Sequence, residues 1–423
     1  MQYSSHSAGA IRELDQEDGA PDPRGAKATK GNRGARTKRR SPRRRPKGPL
    51  WARLLIVFGA VLAIGSGGTI AGFHIVLAEA TKSFGKQDLL GKAAGATTGG
   101  KHASITGAKN ILLIGVDSRP GQNADLLIRS DTIIIMHIPA DHTEGYLVSI
   151  PRDTKVHIPA YDNGKHKYPG GNEKINAAFA HGGEQLTGDT ARQHSVELLA
   201  LTLKDLYGLT FDAAAIVDFT GFQKVVGVLG GVDMCVDEDT KSIHIGYKNG
   251  KQVSPSVRLH SDGTVAGPLP GVTPKDYPVG CYHMKDWEAL DFVRQRDLLK
   301  NQDTDYGRQR HQQQFLKAIF KEIASKDVLT NPGKLSGVLN TIGQAMTIDQ
   351  GKFSIQDWLF AMKGIGADDL ITLKTNDGHF NPVPGDLSYE ALNATSLQML
   401  QSVKDDTMAE FVNLHPDWVA SST

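Results

Sequence analysis

The sequence predicts one α/β domain preceded by a single transmembrane helix, and three observations carry that reading. A run of 25 residues without a charged side chain, residues 54–78, follows a strongly basic tail. Three β-branched, apolar runs at residues 110–117, 131–138 and 145–153 then come in quick succession. Helical periodicities and strand-like runs alternate from there to about Val412, with no second linker and no internal repeat. At 423 residues the chain is long enough for one large domain or two small ones.

Charge divides the chain. Of its 48 basic and 46 acidic residues, 14 and 5 fall in residues 1–53, so the remainder carries a net −7. The folded part therefore has no electrostatic footprint for nucleic acid. The tail 1–50, rich in Gly, Pro and charge, is expected to be disordered. Residues 51–78 are expected to form the transmembrane helix: at roughly 1.5 Å per residue the uncharged run exceeds the roughly 30 Å hydrocarbon core. Basic residues before the span place the N-terminus in the cytoplasm and the rest outside. A cleaved signal peptide is the rival reading, and the long tail argues against it.

Residues 79–108, rich in Gly, Lys, Ala and Thr, read as a flexible linker, and 109–415 as the extracytoplasmic domain. The three strand-like runs are joined too closely for a crossover helix, so an antiparallel meander is expected. In an up-down-up meander Asp117, Asp131 and Arg152 share one sheet edge. Helices are expected at 174–183, 189–207, 285–296 and from Asp305 to Lys326, with a Thr-capped helix after the strand 213–219. In 189–207 the apolar positions are Val196, Leu199, Leu203 and Leu206. Residues 239–275 read as an irregular excursion. The two cysteines, Cys235 and Cys281, fit one disulfide at its base if the domain lies outside the cytoplasm.

On the long helix Arg308, Gln312, Phe315 and Ile319 fall on one face. Phe315, Leu316, Ile319, Phe320 and Ile323 make the stripe expected to be buried. An inward arginine needs an anionic partner. Asp291, Asp305 and a ligand phosphate all qualify, and guanidinium forks suit phosphate. No Ser-His-Asp order, zinc-ligand spacing, P-loop or dinucleotide fingerprint occurs.

The blocks "NILLIGVDSRPG", "RSDTIIIMHI", "LVSIPRDT", "KINAAFAHGG", "VDFTGFQKVVGVLGGVDMCV", "ALDFVRQRD" and "DYGRQRHQQQFLKAI", in this order over residues 109–325, resemble the LytR-CpsA-Psr family. The resemblance implies a central mixed β-sheet flanked by helices. It also implies a phosphotransferase that moves a glycopolymer from a polyprenyl-pyrophosphate carrier to peptidoglycan, forming a phosphodiester. It makes Asp117 and Asp131 the Mg²⁺ ligands and Arg129, Arg152, Arg294, Arg296 and Arg308, with Gln312, the pyrophosphate clamp. Asp117, Asp131, Arg152 and Arg308 are the expected catalytic set. Asp117, Asp131 and Asp305 all stay open as general base, and the loop "DLLKNQDTDYG" departs from the family's acidic, glycine-containing pattern. An apolar tunnel for the lipid is expected between the sheet and helices 191–207 and 220–230. A lipid pyrophosphate hydrolase and a non-enzymatic membrane-bound regulator are the alternatives. The glycan-bearing lipid, peptidoglycan and membrane lipids are the expected partners.

Overall fold

The computed structural model describes residues 87–95, 105–117, 128–323, 331–362 and 364–420. The basic tail, the expected span and residues 79–86 lie outside the described residues. Among those described, no helix is long and apolar enough to cross a membrane.

Strands β1 (Lys109–Val116), β2 (Ser130–Ile138) and β3 (Gly145–Ser149) form the expected antiparallel meander. Strand period sorts their side chains: Leu112, Ile114, Ile133 and Ile135 join one core, Ile134 and Met136 another. Strand β3 stops at Ser149, so Arg152 sits in the turn beyond it rather than at its end.

A short hairpin of β4 (Lys155–Ile158) and β5 (Gly171–Lys174) leads into α1 (Ile175–Gly182) and α2 (Gly188–Tyr207). On α2, Val196, Leu199 and Leu203 are fully buried, whereas Leu206 is exposed and packs no core. Strand β6 (Ala213–Asp218) runs parallel to β1. It hands directly to α3 (Phe219–Leu229), whose cap is Asp218, with Oδ1 accepting from Gly221 N at 2.7 Å, and not a threonine.

The stretch expected to be irregular is built of strands. After β7 (Val232–Val236) come β8 (Thr240–Lys248), β9 (Lys251–Val253), β10 (Thr273–Tyr277) and β11 (Gly280–Met284). The middle three make a small antiparallel sheet, and alternation of β-branched and polar residues in "SIHIGYK" supplies the missed signal. Cys235 faces Cys281 across the β7–β11 pair, and the two form a disulfide. Helix α4 (Asp286–Val293) ends before Arg294, and α5 (Thr304–Ile323) follows.

Beyond residue 330 the chain closes both sheet edges. Helix α6 (Pro332–Ala345) precedes β12 (Met346–Asp349), and α7 (Ile355–Ala361) precedes β13 (Leu370–Leu373). The mixed sheet has the order β12-β6-β1-β2-β3-β13. Strand β14 (Asp386–Glu390), α8 (Ala394–Asp405) and α9 (Met408–Leu414) complete the fold.

Part of the expected linker is core. Leu89, Leu90 and Ala93 are fully buried against the α2 side of the sheet. The Asp349 carboxylate accepts from Leu89 N at 2.9 Å and Leu90 N at 3.1 Å, and Glu197 accepts from Lys92 N at 3.0 Å. Each buried leucine is worth roughly 2 kcal/mol, enough to order a stretch whose composition reads as flexible.

Candidate active site

Three chain segments converge where β1 and β6 end. Asp117 is the first residue past β1. Asp131 is a bulge residue: Thr132 pairs with Gly115 and Ser130 with Val116, which leaves Asp131 without a partner across the ladder. A bulge re-aims a side chain, and here the carboxylate meets Nη1 of Arg152 in a salt bridge. The shared edge expected from the meander is therefore real for Asp131 and Arg152.

Helix α5 supplies the opposite wall. Its polar first half is the buried one: Tyr306, Arg308, Gln309 and His311 are all below a tenth exposed. Of the expected stripe only Phe315 is fully buried, and Leu316, Ile319, Phe320 and Ile323 are half-buried. Arg308 finds its anion in Asp305, one turn back, with Nη2 2.5 Å from Oδ1. Asp291 instead accepts from Tyr277 and Ser242. Arg308 Nη2 also donates to the Asp131 carbonyl at 3.1 Å, and Arg152 Nε lies 3.5 Å from Asp305. Thr132 Oγ1 donates to Gln312 Oε1 at 2.9 Å.

Burial opposes the charge on both arginines, with different outcomes. For Arg152, Asp305, Asp131 and Asp153 more than offset burial and raise its pKa. For Arg308 burial wins: Asp305 and Asp131 oppose it, Arg152 and Arg296 reinforce it, and the pKa falls. Arg308 Nε is buried without a hydrogen-bond partner, a donor left over for a ligand oxygen.

A cavity of about 300 Å³ opens between the sheet and helices α3, α4 and α5. Asp117, Asp131, Arg152, Arg294, Arg296 and Arg308 line it, with Gln312. The rest of its lining is mostly apolar, with Leu113, Ile134, Ala215, Phe222, Leu290 and Phe315, but also holds Thr132, Asp218, His244 and Asp297. Helix α3 borders it as expected; α2 does not, because α2 packs on the other sheet face. The Arg294 guanidinium lies over the Phe219 ring, 4.0 Å from its centroid.

A family model, LytR_cpsA_psr family, matches residues 77–405. The chain belongs to the LytR_cpsA_psr family. Cell wall biosynthesis protein LcpA of Corynebacterium glutamicum is 28% identical over 267 residues, covering 58% of this chain and 45% of that one. The probable cell wall biosynthesis protein LcpB of the same organism is 27% identical, with 58% and 49% covered, so the alignments span about half the length of these relatives. A polyisoprenyl-teichoic acid–peptidoglycan teichoic acid transferase, TagU of Oceanobacillus iheyensis, is 26% identical, covering 83% of this chain and 92% of its own. A solved Streptococcus agalactiae protein shares the fold at TM-score 0.50 and 19% identity, covering 71% and 88% of the two chains.

Within this LytR_cpsA_psr chain, Arg129 alone of the expected clamp stands outside the cavity. It is exposed, and Nη1 donates to Asn176 at 3.2 Å. Asn176 N in turn donates to the Arg152 carbonyl at 3.3 Å, which puts Arg129 on the outer rim. Asp237, Glu238 and His311 come within 4.8 Å of one another, as metal ligands do, but Arg310 bridges Asp237, Glu238 and Asp303 there. Thr132, Asp153 and the pair Tyr306–Glu390 behind the site are not announced in the sequence: Thr132, Asp153 and Glu390 are single polar residues in strands and a turn, and Tyr306 lies in the polar first half of α5.

Proposed function

We propose that this chain is a membrane-anchored, extracytoplasmic phosphotransferase that moves a glycopolymer from a polyprenyl-pyrophosphate carrier to peptidoglycan. One observation carries the reading: a single cavity is lined by four arginines together with a larger set of apolar side chains, which suits a ligand with a diphosphate head and a hydrocarbon tail. The names of the relatives, a cell wall biosynthesis protein and a teichoic acid transferase, point the same way.

The chain's own residues divide the work. Arg152, Arg294, Arg296 and Arg308, with Arg129 at the rim, grip the diphosphate and hold the glycan-side phosphorus toward the acceptor. Arg308 Nε, buried and unbonded, adds a donor for charge developing on the bridging oxygen. The acceptor hydroxyl oxygen bonds to that phosphorus, the bond to the bridging oxygen breaks, and polyprenyl monophosphate leaves. The hydroxyl proton passes to a carboxylate, with Asp117, Asp131 and Asp305 as candidates. Asp117 and Asp131 suit Mg²⁺, since both are hard oxygen donors on one cavity and this ion takes few protein carboxylates. Bound there, Mg²⁺ supplies charge neutralisation at the diphosphate.

The test compares the parent chain with Asp131→Ala and Arg308→Ala, using a short-chain polyprenyl-pyrophosphate glycan and peptidoglycan fragments. Mass spectrometry is expected to find a Mg²⁺-dependent phosphodiester conjugate that both variants lose. Phosphorylated glycan without conjugate would make the chain a hydrolase. No turnover and no lipid binding in a folded parent would remove the reading.

A further inference from the structure

The site's mouth joins segments far apart in sequence: the turn holding Arg152 and Asp153, and the first turn of α5. A third segment ties them. Glu390, the last residue of β14, is 2% exposed. Its backbone N donates to the Asp153 carbonyl at 3.1 Å. Its Oε2 accepts from Tyr306 Oη at 2.6 Å. Tyr306, next to Asp305, accepts a second bond from Asn376 Nδ2 at 2.9 Å. Asn376 adopts a left-handed conformation, φ 52°, and its side-chain oxygen accepts from Asn393 N and Ser396 Oγ. So much fixed polar structure behind a charged edge goes beyond what a surface hairpin requires.

We infer that Glu390 is a positioning residue: through Tyr306 it fixes Asp305, and with it Arg308 and Arg152, across the mouth of the cavity. The role rests on the phosphotransfer proposed above. The groups facing Glu390 are Tyr306 and Asp305 from α5, Asp153 from the turn after β3, and Asn376; Arg152 and Lys174 pair with Asp153 from outside. Burial pushes the Glu390 carboxyl up to about 7, against the Tyr306 bond, and Asp305 and Asp153 add to the rise. Near neutral pH the carboxyl thus gains a charge behind Asp305.

The experiment uses the full chain, Glu390→Gln, Tyr306→Phe and the double variant. It reads kcat and KM for the short-chain donor between about pH 5.5 and 8.5, with melting temperatures beside them. Each single change is expected to lower kcat about tenfold with KM within about twofold, and the double variant to be no slower than the worse single. Glu390→Gln is also expected to flatten the acid limb of the profile. Parent-like kcat and pH profile in both singles would overturn the role, as would losses that multiply in the double. Farnesyl pyrophosphate binding separates the two claims. A parent that binds and transfers while its variants do the same removes only the positioning role. A folded parent that neither binds nor transfers removes both.

Discussion

Arg308 donates from Nη2 to the backbone carbonyl of Asp131 at 3.1 Å, linking residues 177 positions apart. The same nitrogen lies 2.5 Å from Asp305 Oδ1, so one guanidinium ties the bulged strand to the helix N-terminus. A lysine ammonium is a point charge and cannot serve both partners while offering Nε to a ligand. Arg308→Lys is expected to lower kcat/KM about 100-fold or more, with circular dichroism unchanged. Activity within about threefold of the parent would show that charge alone suffices there.

Gly115 lies under the cavity because nothing larger fits. A Cβ there would stand 2.8 Å from Thr132 Cβ and 2.9 Å from Thr132 Oγ1, the atom that bonds Gln312. Gly115→Ala is expected to cost about 1–3 kcal/mol in denaturant unfolding, and Thr132→Ala in the same chain to recover part of it. An additive double variant would place the strain elsewhere.

The Cys235–Cys281 bridge closes a separation of 46 residues. Within that loop Ile243 and His244 of β8 reach the cavity wall. Replacing both cysteines by alanine is expected to cost about 4 kcal/mol by the chain-entropy estimate, read as a lower denaturation midpoint. An unchanged midpoint would mean that the strand pairing of β7 and β11 holds the loop by itself.

The Glu390 carboxyl also makes a stability prediction that needs no substrate. Its folded pKa, about 7, lies above the ordinary 4.5. Between those values the folded chain keeps the proton that the unfolded chain has lost. The contribution is therefore full below about 4.5 and lost as pH rises through about 7. Relative to Glu390→Gln, the parent is expected to lose about 2.5 kcal/mol between pH 5 and pH 8. Parallel pH profiles for the two chains would contradict it.

Much of this was legible in the sequence because it rests on local pattern. β-branched runs at close spacing announce a meander, and the spacing of Arg308, Gln312 and Phe315 marks one helix face. The mixed sheet and the metal assignment came only with the family resemblance. What stayed hidden is tertiary. Leu89 and Leu90 read as linker because their neighbours are Gly, Lys and Ala, yet Asp349, some 260 positions on, takes both backbone amides. Glu390 is one acid in a polar hairpin until folding brings Tyr306 to it. The bulge that frees Asp131 is a register event, which residue identities in β2 do not announce.

The proposed phosphotransfer is measured most directly by labelling the glycan-side phosphorus of the donor and following it through one round of reaction with Mg²⁺ and peptidoglycan fragments. Label is expected in the peptidoglycan fragment, with unlabelled polyprenyl monophosphate released alongside and neither product after chelation of the metal. Label released as free phosphorylated glycan, with none in peptidoglycan, would contradict it.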